Sequence, residues 1–135
     1  MPKYDYVLAP FSRSRPDYEK WAQVNWQELV SRMPDKSFAI FGNPKYDDIN
    51  FIQAPNAVAE FGRPFTEVSN ILLNSKGAIT IISGISHLAY ALNVKNYLLG
   101  GQNEIWGINP ESVRFKFSSK TDETTVSEVQ EKLNA

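Results

Sequence analysis

The amino-acid sequence predicts an α/β domain whose mostly parallel sheet lies between helices. Short apolar runs alternate with segments in which apolar residues recur at helical spacing. The strongest run, AITII at residues 78–82, is β-branched and almost wholly apolar, as a strand covered on both faces must be. With 135 residues and a 42% hydrophobic share, there is enough apolar material for one compact core.

The elements follow in order. Residues 4–10 (YDYVLAP) read as a strand closed by Pro10, and the polar, basic FSRSRPDYE after it reads as a loop. Trp21, Ala22, Trp26, Leu29, Val30 and Met33 form one buried stripe of a helix that Pro34 should end. Phe38 to Phe41 read as a buried strand stopped by Gly42-Asn43-Pro44, and Asn50 to Gln53 as a weaker strand. Thr66 is the expected N-cap of a helix carrying Val68, Ile71, Leu72 and Leu73. After the strand at 78–82, Ser83-Gly84 leads into a helix with Ile85, Leu88, Ala89 and Leu92 on one face. A strand from Asn96 to Leu99 and an alternating edge strand from Val113 to Phe117 come next. Thr125 with Glu128 reads as a capping box for a last helix presenting Val126, Val129 and Leu133. Together these predict a three-layer Rossmann-like domain over residues 1–117, followed by a linker and C-terminal amphipathic helix, 118–135, packed on or near it.

Composition excludes several function classes. Fourteen Lys and Arg against fifteen Asp and Glu leave a net charge of −1, so no broad positive field exists to attract nucleic acid or an anionic membrane. The absence of Cys removes disulfides, thiolate nucleophiles and Cys-bearing zinc sites, and one His cannot form a multi-histidine metal site. Nothing in the sequence calls for a metal or another cofactor. No apolar run approaches the ~18 residues of a spanning helix, and the N-terminus is charged, so a soluble cytoplasmic protein is expected.

In such sheets ligands bind beyond the carboxyl ends of the strands, where the strand order switches. Three loops fall on that edge. The turn from residue 82 to His87 joins the most buried strand to a helix, placing unpaired N–H groups at the positive end of the helix dipole. Gly84 would let an anion approach the backbone, Ser83 and Ser86 offer hydroxyls, and His87 an imidazole N–H, which together suit a phosphate. The same residues equally suit an ordinary capped turn with a surface histidine. Ser12, Arg13 and Arg15 after the first strand, with Lys20 further on, would complement a diphosphate or form a solvated basic loop. Asp47, after the second strand, would accept from ribose hydroxyls or simply close a turn. Trp21 and Trp26 belong to the core by spacing, whereas Trp106 is a candidate to flank a base.

The combined pattern resembles the C-terminal, donor-nucleotide-binding half of heptosyltransferase-like GT-B glycosyltransferases, of the ADP-heptose:lipopolysaccharide heptosyltransferase type. The resemblance covers residues 5–107. It is carried by Pro10, Ser12, Lys20-Trp21, Trp26 and Leu29, by Phe41-Gly42 with Asp47, and above all by SGISHLAYAL at residues 83–92. It departs from the family where Ile82 replaces an Asp, where Lys20 sits one place from the usual lysine, and where the acidic position is displaced by one residue. The resemblance implies that Ser83, Gly84, His87 and Lys20 hold the donor's diphosphate and Asp47 its ribose. His87 then stabilises the departing diphosphate as a neutral hydrogen-bond donor, and is not the general base. It also implies an acceptor domain supplying the catalytic base, for which a second copy of this chain or a separate partner would have to serve. The expected ligand is a nucleoside diphosphate or nucleotide-sugar. The competing expectation is a non-catalytic nucleotide-binding or dimerisation module derived from such a half.

Overall fold

The computed structural model describes residues 3–100 and 111–135; Trp106 lies outside them. Six strands, β1 (Tyr6–Ala9), β2 (Phe38–Ile40), β3 (Ala57–Ala59), β4 (Gly77–Ile81), β5 (Asn96–Leu99) and β6 (Val113–Phe115), form one sheet in the order 3-2-1-4-5-6. Every pairing is parallel, with Tyr6 opposite both Phe38 and Gly77. Four helices cover it: α1 (Gln23–Ser31), α2 (Phe65–Leu73), α3 (Gly84–Ala91) and α4 (Glu123–Asn134). This is the three-layer arrangement the alternating pattern predicts.

Side-chain alternation along the strands sorts the core into two halves. Tyr6 and Leu8 of β1, with Phe38, Ile40, Ile79 and Ile81, pack under Trp26, Leu29 and Val30 of α1 and Val126, Val129 and Leu133 of α4. Val7, Ala39 and Ala78 point the other way, against Ile71 and Leu72 of α2 and Ala89 of α3. Trp21 and Trp26 are both buried and meet edge to face at 5.2 Å, so the tryptophan pair is core.

Three boundaries differ from the sequence reading. Asn50 to Gln53 form no strand, because their backbone groups are taken by side chains. Gln23 donates to the Phe51 carbonyl at 2.7 Å, Gln27 accepts from the Gln53 N–H at 2.8 Å, and Asp48 accepts from the Asn50 N–H at 2.8 Å. The third strand is instead Ala57–Ala59, an edge strand of only three residues. Helix α2 starts at Phe65, not after Thr66, since the Pro64 carbonyl already accepts from the N–H groups of Glu67 and Val68. Helix α4 starts at Glu123 behind Asp122, whose carboxylate caps the Thr125 N–H at 3.2 Å, and the Thr125 hydroxyl donates to the Lys116 carbonyl.

A polar latch holds α1 to the segment entering α4. Buried Asn25 donates to the Lys120 carbonyl at 2.6 Å and accepts from the Asp122 N–H at 2.8 Å. The Asp122 carboxylate also takes hydrogen bonds from the Ser118 N–H and the Trp21 indole. Burial alone would raise the Asp122 carboxyl, but these donors outweigh it and hold it below the usual carboxylate range. Asp5 is held low as well, first by the Ser37 N–H, with Lys76 nearby.

Both carboxylates therefore bind protons more weakly in the folded chain than in the unfolded one. Their stabilisation is fully present above the unfolded value of about 4 and is lost as pH falls through the lower folded values. Melting temperature is expected to drop between about pH 5 and 2, and Asp122→Asn to be less stable at neutral pH with a flatter acid limb, measured by circular dichroism. Asn25→Ala, which removes the partner of two partly buried backbone groups, should cost about 1–3 kcal/mol in urea denaturation.

Candidate functional site

The carboxyl ends of β1 and β4 lie side by side, yet the chain leaves them for opposite faces, to α1 from β1 and to α3 from β4. A crevice opens above the two strands, as at any such reversal of strand order. Its walls are the loops after β1 (Ser12, Arg13), β2 (Asn43, Asp47) and β3 (Glu60, Arg63), with Ser83 and Gly84 closing the β4 side. The cleft measures about 600 Å³, within the ~300–1,000 Å³ of small-molecule sites.

At the β4 end, Ser83 is the N-cap of α3. The buried Ser86 hydroxyl accepts from the Ser83 N–H at 2.9 Å and donates to the Ser83 carbonyl at 2.7 Å, which locks the turn. The Ser83 Oγ is buried at the cleft edge, where it faces the first turn of α3 in a capping-box arrangement. A Cβ built on Gly84 would meet nothing within 4 Å, so the space beside its Cα is open where the first turn of α3 borders the cleft. Across the cleft the Arg13 guanidinium stacks 3.5 Å from the Tyr46 ring centroid. Stacking occupies its face and leaves the N–H fork for a ligand, and among the described residues no carboxylate pairs with it.

The remaining sequence candidates are distributed around this centre. Asp47 borders the cleft and accepts from the Asn43 N–H at 2.7 Å, closing the turn after β2. Lys20 lines a smaller adjoining cavity of about 290 Å³ with Ser12, Arg13 and Tyr46, and its Nζ is 3.8 Å from Asp17. Arg15 borders neither cavity and lies 3.4 Å from the Glu19 carboxylate. His87 stands exposed at the fourth position of α3, where its N–H bonds to the Ser83 carbonyl, and it does not border the cleft.

The structure adds residues that the sequence did not mark. Glu60, at the end of β3 and 4% exposed, accepts from the Tyr4 hydroxyl at 2.6 Å and from Arg63 Nε and Nη2 at 2.9 and 2.7 Å. Burial opposes its ionisation, but the bonds from Tyr4 and Arg63 outweigh that and hold the carboxyl below its ordinary range. Burial and the neighbouring carboxylate push the Tyr4 phenol up to about 12. Nothing in the sequence flagged this group, because β3 itself carried no signal. Gly42, read from the sequence as a turn and as part of the resemblance, has a packing role as well: a Cβ there would lie 2.5 Å from the Phe61 ring, so glycine lets the loops after β2 and β3 pack together. Among the described residues no group of three His, Asp or Glu side chains is arranged to hold a metal, and no helix is long and apolar enough to cross a membrane.

This architecture is that of one Rossmann-like half of a GT-B glycosyltransferase. Solved structures with the same fold include E. coli ADP-heptose LPS heptosyltransferase II, at 17% identity and a TM-score of 0.76 over 98% of this chain and 45% of that one. The E. coli heptosyltransferase WaaC with ADP is similar at 16% identity and a TM-score of 0.67, covering 96% of this chain and 44% of that one. The iron-containing dodecameric glycosyltransferase TibC of enterotoxigenic E. coli follows at 17% and 0.65, covering 87% and 32%. The chain thus spans less than half the length of these enzymes, and the heptosyltransferase resemblance of its motifs holds at the level of fold. No family model and no curated protein matches the chain.

The two cleft glycines respond differently to a methyl group. Gly84→Ala should leave the melting temperature unchanged or raise it, by up to about 1 kcal/mol of stability, because the new Cβ meets no protein atom. Gly42→Ala should lose about 1–3 kcal/mol through the clash with Phe61, read by thermal denaturation.

Proposed function

We propose that this chain is a glycosyltransferase-like domain that binds a nucleoside diphosphate or nucleotide-sugar across the carboxyl edge of its sheet. The observation that supports it most is the meeting of two anion-binding features across one crevice, the first turn of α3 at Gly84 and the stacked Arg13 fork.

In this reading the diphosphate lies between the α3 N-terminus and Arg13. Fixed N–H donors there stabilise charge developing on the departing diphosphate without reorganising, which is electrostatic catalysis without a covalent intermediate. Ser12 borders the same corner and donates a hydroxyl, while Ser86 keeps the turn in shape. Lys20 adds charge from the adjoining cavity, and Arg15 strengthens the positive field of the loop. His87, one helical turn beyond Gly84, donates to an outer oxygen of the ligand, and Asp47 accepts from the ribose with the oxygen not spent on Asn43. An acceptor domain supplies the base that deprotonates the attacking hydroxyl.

Isothermal titration with nucleoside diphosphates tests this reading. Arg13→Ala removes charge-assisted bonds of about 1.5–3 kcal/mol and should weaken binding by about 10- to 100-fold. His87→Ala should weaken it by about three- to tenfold. Unchanged affinity in Arg13→Ala would overturn the proposed site, and unchanged affinity in His87→Ala would remove His87 from it.

A further inference from the structure

The helices on the two faces of the sheet present different surfaces to solvent. Exposed positions of α4 carry Glu123, Glu128, Glu131 and Lys132, and Glu28 stands exposed on α1, as a solvated helix face requires. Along the whole of α2 and α3 the only Asp, Glu, Lys or Arg is Glu67, and it lies 4.0 Å from Arg63 Nη1. Large apolar side chains stand out instead. Phe65 is 69% and Leu73 55% exposed on α2, and Tyr90 is about half exposed on α3. Val58 of β3 pairs with Ala39, which points to this same face, and it too is about half exposed. Exposed aromatic and aliphatic groups on ground cleared of charge are the composition of a protein interface core.

What covers this face follows from its charge and its spacing. A charged lipid surface or a strongly charged protein finds nothing here to pair with, whereas a second copy meets an equally uncharged face and brings no like charges together. The spacing is also its own complement. Phe65, Ser69 and Leu73 recur every four residues, so a large, a small and a large side chain follow one another along one stripe of α2. A two-fold axis at Ser69 seats Phe65 on the partner subunit's Leu73 and Leu73 on the partner subunit's Phe65, while the small central residue lets the helices close. Beside it α3 adds the exposed Ala91 and the partly buried Leu88. Neighbouring helices of nine and eight residues cover about 20 Å by 13 Å, which amounts to roughly 1,000 Å² buried over two copies. That area is the lower bound of a specific interface and fits a reversible dimer. Neither Phe65 nor Leu73 borders the cleft, so the contact leaves the nucleotide site open.

We infer that α2 and α3 form the interface of a symmetric homodimer of this chain, built on Phe65 and Leu73 of each copy. Sedimentation velocity on the full chain, from about 5 to 300 µM, tests it by mass action. The wild-type chain should pass from a 15.3 kDa species to one of twice that mass as concentration rises. Phe65→Glu and Leu73→Lys each bury an unpaired charge at the contact and should weaken association by at least about tenfold. Both side chains are exposed in the single chain, so the melting curves of the dilute variants should match that of the wild type. Mixing the two variants sets Glu against Lys at one contact and leaves Leu73 on Phe65 at the other, so the mixture should dimerise again. A wild-type chain that stays monomeric throughout overturns the inference, and flotation of that monomer with phosphatidylcholine vesicles would make lipid the occupant. Undiminished association of either variant alone, or a mixture that remains monomeric, overturns it as well.

Discussion

Two parallel strands at the centre of the sheet send their connections to opposite faces, and most of what this chain presents to solvent follows from that divergence. β1 and β4 are hydrogen-bonded neighbours from Tyr6 opposite Gly77 to Ala9 opposite Thr80. After Ala9 the chain crosses to the face covered by α1 and α4, and after Ile81 it crosses to the face covered by α2 and α3. Right-handed crossovers cannot close over the seam between them. The groups lining the seam are loop residues and the first turn of a helix, whose backbone donors are not consumed by secondary structure. A polar opening above a largely apolar sheet is the direct outcome.

The rest of the architecture keeps that seam in place. The face beneath α1 and α4 holds the larger aromatics, and it is closed by the polar latch through Asn25 and Asp122 and by the Tyr6 hydroxyl on the Leu133 carbonyl. These bonds join segments about a hundred residues apart, so they form only once the sheet is assembled. The opposite face is built from smaller side chains, and the tight contact of Gly42 with Phe61, which packs on the first face, sets the separation of the second and third loops.

Charge is distributed unevenly along the cleft. The end between Arg13 and the first turn of α3 carries donors, with Asp47 on its border, whereas the β3 end carries an arginine paired with a buried carboxylate. An anion is attracted to the first end and a neutral polar group is tolerated at the second. The likeness to the E. coli heptosyltransferases, at 16 and 17% identity, shows that the same backbone scaffold accommodates largely different side chains.

The local pattern of this chain determined its layers. The apolar run at 78–82, the stripe from Trp21 to Met33 and the turn at Ser83-Gly84 each sit where burial period and backbone chemistry require, because a strand covered on both faces and a capped helix are specified by adjacent residues. Short-range signals failed where the partner was remote. Asn50 to Gln53 look like a strand but are bound by glutamines of α1, and Ala57–Ala59 becomes a strand through pairing with β2. The candidate site divides in the same way. Arg13, Asp47, Ser83 and Gly84 were legible as loop chemistry at strand ends and share one cleft, while His87 is exposed on the first turn of α3 and is not part of the cleft lining. Glu60 was legible to no local rule, since its meaning depends on Tyr4, fifty-six residues away. Sequence fixes which backbone groups are left unpaired at a strand end; only the assembled sheet decides which of those ends become neighbours, because that choice is made by long-range packing.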